Sequence, residues 1–383
     1  AHADGGRADD ERRRDAADAA GADVAMTARG RTGARRPRDR QRGNIAILFA
    51  LLLPVLLGFA ALVIDLGHGW QVRNQLQNDA DSAALAGVRD LDGTAARFAT
   101  AINSAVQYAA LNSANGSSVT LPASNVTLGN WNFNTRTFTA ASASTPPYKV
   151  NAVSVAAPTL TVSTWFAPIL GINSENVTTA AIAVGGSPDA TCGFPLAVPA
   201  CSIINDDGTI RCNTTLTFGQ ATTDNVGFTV FTPTSPVDTN NVECLMSIAL
   251  GQCPPKTGPP CTCTTTCNAT SVASGSIYIS NGNNLAQNDI DMINSYLAAN
   301  PGGLYVQVPV LDSGSLTKSS CGSFQFNKAI PVDGYVEMHI TGATSTPTKS
   351  VTATIDCTKT GSAPPGGTGG FFGYKSTNVY LVK

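Results

Sequence analysis

Ile45 to Ile64 is an unbroken run of twenty residues without a charge, "IAILFALLLPVLLGFAALVI". As a helix it would extend about 30 Å, the thickness of one hydrocarbon core. Fourteen of the twenty are Leu, Ile, Val or Phe, which favours insertion by on the order of 4–8 kcal/mol on an insertion scale. A core helix of a water-soluble domain needs a polar stripe, and this run has none. Pro54 and Gly58 weaken an isolated helix, but membrane helices tolerate both residue types. A cleaved secretory signal has an apolar region of about 7–15 residues followed by a small-x-small site. Here the run is longer, and Asp65-Leu66-Gly67-His68-Gly69-Trp70 makes a poor cleavage site. The run predicts a retained transmembrane helix over residues 44–66.

The flanks orient it. Arg31, Arg35, Arg36, Arg38, Arg40 and Arg42 precede the run, whereas only Arg73 follows within a similar distance. The positive-inside rule places residues 1–43, a basic leader expected to be largely disordered, in the cytoplasm and everything beyond Asp65 outside. Met26 opens "MTARGRTGARRPRDRQRG", the basic start of a signal anchor, and residues 1–25 are expected to be an over-extended translation. From Asp65 onward eight Lys and five Arg stand against eighteen acids, so the body is mildly acidic and gives no support to a nucleic-acid surface.

All ten cysteines follow the anchor at a distance: Cys192, Cys201, Cys212, Cys244, Cys253, Cys261, Cys263, Cys267, Cys321 and Cys357. An even number in a polar, Gly/Pro-rich region predicts disulfides formed outside the cytosol, in agreement with the orientation from arginines. Ten cysteines allow far more pairings than the roughly 105 open to eight, so the connectivity stays open. "CPPKTGPPCTCTTTC" could hold zinc, but its C-x-C-x-x-x-C spacing matches no common structural zinc site, and disulfides are the expectation.

Between anchor and cysteines the pattern is helical first. Leu76, Ala80, Ala83, Gly87 and Leu91 recur at steps of four, three, four and four, one helix face made mostly of small residues. The plain reading of Leu76, Ala80, Ala83 and Gly87 is packing onto the chain's own β-region; the alternative is close contact with a partner helix. Gly93-Thr94 reads as a stop and a new N-cap, and Phe98, Ile102, Ala105 and Ala109 continue the period to about Asn112. From Ser117 the period is two. "NWNFNTRTF" reads as one half-buried strand with Trp131 and Phe133 on one side; "YKVNAVSVAA", "PTLTVST" and the segments around a turn at Gly171-Ile172-Asn173 follow.

The remainder alternates short strands with turn residues: "TLTFG", "GFTVFTP", "SIYIS", "LYVQVPVLD", "GYVEMHITG", "VTATIDC" and "NVYLVK". One helix interrupts them, Asn288 to Asn300, stopped by Pro301-Gly302. The fold class expected is α+β: an N-terminal transmembrane helix and helical stalk, a small α+β unit, then an irregular disulfide-bonded β-rich domain. The boundaries are residues 1–43, 44–66, 67–186 and 187–383.

Arg42-Gly43-Asn44, Pro54, Val63-x-Asp65, Leu76-Gln77-Asn78, Ala80-Asp81 and Ala83-Ala84-Leu85-Ala86 resemble the opening of the TadG-like proteins of Flp (Tad) pilus assembly. "NAVSVAAPTLTVSTWFAPILGINSENVTTAAIAV" resembles the second half of the same TadE/TadG-like module, giving coverage of roughly residues 41–184. The resemblance implies a single-pass bacterial inner-membrane protein, N-terminus in the cytoplasm and C-terminal domain periplasmic, that works with other pilus-assembly proteins. It implies no catalysis and no cofactor. Some members carry a D-x-S-x-S metal site; Asp312-Ser313-Gly314-Ser315-Leu316 lacks Ser at the third and fifth positions, so no metal is expected. Processed pseudopilins of the same system carry Glu five residues after the cut Gly, and counting from Asn44 that place is Leu48, so cleavage at Gly43 is not expected.

An enzyme would need a site. His2, His68 and His339 are the only histidines, and His339 alternates with Tyr335 and Glu337 on what reads as the polar face of a strand. There is no G-x-S-x-G, no H-E-x-x-H and no phosphate-binding glycine loop. Asn115 and Asn213 open sequons that the Thr- and Asn-rich composition accounts for. The rival to a pilus-assembly role is a signal-anchored envelope adhesin whose Cys-rich domain grips a ligand. No small-molecule substrate is expected of the assembly component.

Overall fold

The computed structural model describes residues 42–188, 194–219, 226–231, 237–252, 275–281, 286–361, 365 and 370–382. It is α+β, as the sequence predicts. One helix, α1, runs Arg42–Asp90 with Pro54 inside it. The apolar run and the small-residue face are thus parts of a single helix. Over the run the large side chains are exposed, from 38 % at Leu62 to 72 % at Ile45. A helix this apolar that leaves its side chains uncovered is long enough to cross a bilayer.

Past Val72 the same helix turns one face inward. Val72, Leu76, Ala80, Ala83, Ala84, Val88 and Leu91 are buried in one cluster with Ala101, Ala105 and Ala109 of α2, Phe98–Ala110. Gly93, at φ +86°, makes the bend between them, where the Cβ of any other residue would sit 2.7 Å from that of Phe371. Both helices cover a five-stranded antiparallel sheet. Its order is Tyr380–Leu381, Ala180–Val184, Ala152–Ala156, Val126–Asn132, Thr137–Ala140. Val153, Val155, Ala181 and Ala183 face the helices, while Trp131, Ala152, Ile182 and Val184 make a second small cluster on the other face.

"NWNFNTRTF" is a hairpin, not one strand. The first strand ends at Asn132, whose side chain accepts from the Asn134 and Thr135 amides at 2.9 and 3.0 Å. Arg136, at φ +55°, completes the turn, and Thr137–Ala140 pairs back onto Gly129–Asn132. The alternation of apolar residues carries through the turn, which hides the break: Phe133 still packs beside Trp131.

The Cys-rich half is built on a seven-stranded sheet dominated by Lys328–Thr344, a seventeen-residue strand. It pairs with Ser276–Asn281 through its first part, and with Leu304–Leu311 and Ser350–Asp356 through its later part. Because Leu196–Pro199 and Gly227–Thr229 link Leu304–Leu311 back to Ser276–Asn281, the pairings close on themselves. Both faces of the long strand are covered: Val336, Met338 and Ile340 lie in the main core, and Val332 and Tyr335 lie in a second cluster with Tyr374. Tyr335 and Glu337 are therefore buried, at 2 % and 9 % exposure, and not on a solvent face. His339 alone of that trio is partly exposed.

Two helices cover this sheet's main core. Gln287–Ala299 answers the expected one, and its Asp289 carboxylate accepts from the Ala286 amide at 2.8 Å. Thr239–Ala249 was not expected; Asp238 caps it, accepting from the Asn240 amide at 3.1 Å. The chain's last segment then returns to the first sheet. Phe371 donates its amide to Tyr148 O at 2.7 Å and is buried with the α1–α2 cluster. Lys375 caps the end of α1 at the Arg89 carbonyl, and Tyr380–Leu381 adds the sheet's edge strand.

Candidate functional site

Asp65 is the first charged residue after the apolar run and is 6 % exposed. Its carboxylate accepts three consecutive backbone amides, those of Trp165 at 2.8 Å, Phe166 at 3.0 Å and Ala167 at 2.6 Å. Three donors on one carboxylate make a charge-assisted clamp, and the Phe166 and Ala167 amides are orphan donors at the start of the 3-10 turn Ala167–Leu170. His68, one turn further on, stacks on Trp165 with ring centroids 4.5 Å apart, and its Nε2, in the tautomer protonated there, donates to Asn115 Oδ1 over 3.1 Å. Gln75 Oε1 accepts the Asn115 amide at 2.9 Å. Gly69 leaves room for Glu175, whose Oε2 would lie 2.6 Å from a Cβ there.

The clamp holds the tip of a hairpin, Leu160–Ser163 and Ser174–Val177. Val162 and Val177 at its base are buried in the cluster that contains Val72. Between the clamped amides and the second strand the tip exposes Trp165, Phe166, Ile169, Leu170 and Ile172. The sequence contains both halves of this arrangement, but a hundred residues lie between them and nothing local marks their meeting.

The small-residue face lies elsewhere on the helix and is fully occupied. Leu76, Ala80 and Ala83 are 0 % exposed. A Cβ on Gly87 would come 3.0 Å from the Ala101 carbonyl, 3.2 Å from Val153 Cγ1 and 3.3 Å from Ala105 Cβ. The face thus meets α2 and the sheet of its own chain. Beside it, Asp79 is 0 % exposed and neither carboxylate oxygen has a hydrogen-bond partner. Burial pushes its pKa up to about 6, and the nearby Asn112 amide, which donates to Ser82 Oγ, offsets only part of that.

Two disulfides are defined: Cys201–Cys321 and Cys212–Cys357. The first ties the short helix Ala200–Ile203 to the turn Lys318–Ser323; the second ties the approach to Thr215–Gly219 to the end of Ser350–Asp356. Cys244, on the buried side of Thr239–Ala249, is also disulfide-bonded. Cys192, Cys253, Cys261, Cys263 and Cys267 lie outside the described residues.

A cleft of about 230 Å³ opens beside the Cys201 disulfide, lined by Tyr148, Asn205, Asp206 and the loop Ser313 to Lys318. Burial, with Asp333 and Asp312 nearby, pushes the Tyr148 hydroxyl up to about 12. Among the described residues no group of three or more His, Cys, Asp or Glu is placed to hold a metal ion. His339 stacks on Tyr305 at 4.2 Å and its Nε2 lies 2.8 Å from the Gly302 carbonyl. That contact fixes the ring against a turn.

The geometry defines an α+β protein whose first helix begins as a membrane-length apolar segment and ends inside a helix-on-sheet module. The family model for Flp pilus-assembly TadE/G-like proteins matches residues 43–90, and that for Tad-like Flp pilus-assembly proteins matches residues 86–183. The two matches overlap at residues 86–90, within α1, and over residues 43–183 the chain is TadG-like. No curated protein and no solved structure matches the chain.

Proposed function

We propose that the chain is a non-enzymatic component of Flp (Tad) pilus assembly, anchored in the bacterial inner membrane and holding a periplasmic domain out to the pilus machinery. The observation that carries this reading is the overlapping pair of family matches over residues 43–183. Between them they cover the apolar helix and most of the module it enters. In this reading residues 1–43 are a cytoplasmic leader, 44–66 span the membrane, 67–186 form the shared module and 187–383 form the Cys-rich domain. Disulfides joining cysteines 120 and 145 residues apart support an oxidising location for that last part. The arginine-rich flank before the anchor supports the same orientation.

The work in this reading is mechanical, and its partners are other pilus-assembly proteins. Deleting the gene in a piliated host and complementing it with the full chain tests the proposal. Loss of fibres restored by complementation is the expected result. Intact fibres with lost adhesion would support the adhesin reading instead, and a topology reporter fused after Lys383 that is active only in the cytoplasm would refute both.

A further inference from the structure

Outside α1, ten large apolar side chains are exposed among the described residues, and five of them, Trp165, Phe166, Ile169, Leu170 and Ile172, sit in one eight-residue tip. Such a concentration of uncovered apolar area marks a binding surface. We infer that this tip seats in the interfacial layer of the bilayer, beside the point where the anchor leaves it. The inference rests on the reading of residues 45–64 as membrane-spanning.

Four features of the tip commit it to lipid. Its depth is set by the clamp: three amides of the tip lie within 3.0 Å of the carboxylate of Asp65, the residue that directly follows the apolar run. Val63, Ile64 and Leu66, the sequence neighbours of the clamped Asp65, are themselves exposed at that level of the helix. Six of the tip's backbone amides are already paired, as a low-dielectric setting favours. The amides of residues 165–167 go to Asp65, and those of Ile169, Gly171 and Ile172 turn back onto the carbonyls of Phe166, Pro168 and Ala167. Finally, Glu175 is the only charge between Leu160 and Val177. With no cation, attraction to anionic headgroups is excluded as the driving force, and apolar burial with Trp at the interface is what remains.

The hairpin would then be a second, shallow foot that limits tilt and rotation of the module about its single helix. A covering protein would instead need a matching apolar surface, and the experiment separates the two. The full chain is reconstituted in neutral phosphatidylcholine vesicles whose acyl chains carry bromine either near the glycerol end or near the methyl end. Trp70→Phe and Trp131→Phe leave Trp165 as the single fluorophore, and a Trp-free chain with Phe59→Trp reports the anchor.

The expected result is an about twofold loss of Trp165 emission with shallow bromines and less with deep ones, unchanged by salt. Ile169→Ser with Leu170→Ser should abolish that quenching while leaving the Phe59→Trp reporter quenched. Trp165 emission untouched by either lipid, with Phe59→Trp quenched, overturns the inference and leaves the anchor intact. Stronger quenching of Trp165 by deep bromines overturns it as well. An unquenched Phe59→Trp reporter overturns the anchor and the inference together.

Discussion

Replacing Asp79 by Ala removes a carboxylate that the fold holds at 0 % exposure with no hydrogen bond to either oxygen. Its pKa is raised from 3.8 to about 6, chiefly by burial. A group whose pKa is higher in the folded state holds its proton more tightly there. Its contribution is therefore most favourable below about pH 4, is lost as pH rises through about 6, and leaves the full penalty above that. Two units at 1.36 kcal/mol each put that penalty at roughly 2–3 kcal/mol. Ala adds about 0.5 kcal/mol of helix propensity, and the small void left behind takes back a similar amount. Asp79→Ala should thus stabilise the folded chain by about 2–3 kcal/mol at pH 7.5 and by much less at pH 4. Denaturant unfolding of the full chain in detergent, followed by circular dichroism, reads this as a higher midpoint at unchanged slope. Only the difference between the variant and the parent is diagnostic, because Asp289 titrates in the same window, its pKa also raised to about 6 by burial. A variant no more stable than its parent at pH 7.5, or a gain equal at both pH values, would show that Asp79 carries no burial penalty.

The seam and the clasps give two further expectations. Ala83→Leu inserts three carbons into a face at 0 % exposure and should cost about 1–3 kcal/mol or more by overpacking, seen as less folded chain in membranes on immunoblots at matched expression. Normal protein level would show that the seam can open. Reducing Cys201–Cys321 and Cys212–Cys357, which close loops 120 and 145 residues apart, should each cost about 3–5 kcal/mol. A melting temperature unchanged by reductant would contradict that role.

What the sequence makes legible is what one element states by itself. The charge-free run declares a membrane-length helix, and steps of three and four from Leu76 to Leu91 declare the face that the structure buries. The hairpin at Asn132 was illegible because its signal is a side chain turned onto its own backbone, inside an unbroken alternation of apolar residues. Thr239–Ala249 escaped because polar residues open it and only Asp238 marks its start. Cysteine pairing needs the fold first, since both defined bridges join residues more than a hundred apart.

Asp65 belongs to both kinds. As part of a Val-x-Asp exit it is visible in the sequence as the end of the oily segment, and by itself it needs no further explanation than the return to water. The structure gives that carboxylate three backbone donors from residues 165–167, so it also fixes where a distant hairpin stops. A charge at a membrane exit that is merely solvated tolerates exchange with Glu, Asn or Ser. One that must gather three consecutive amides does not tolerate Asn or Ser: Asn keeps only one acceptor oxygen, and Ser is too short to replace the pair. A preference for a carboxylate at this place thus follows from the hairpin, not from the lipid.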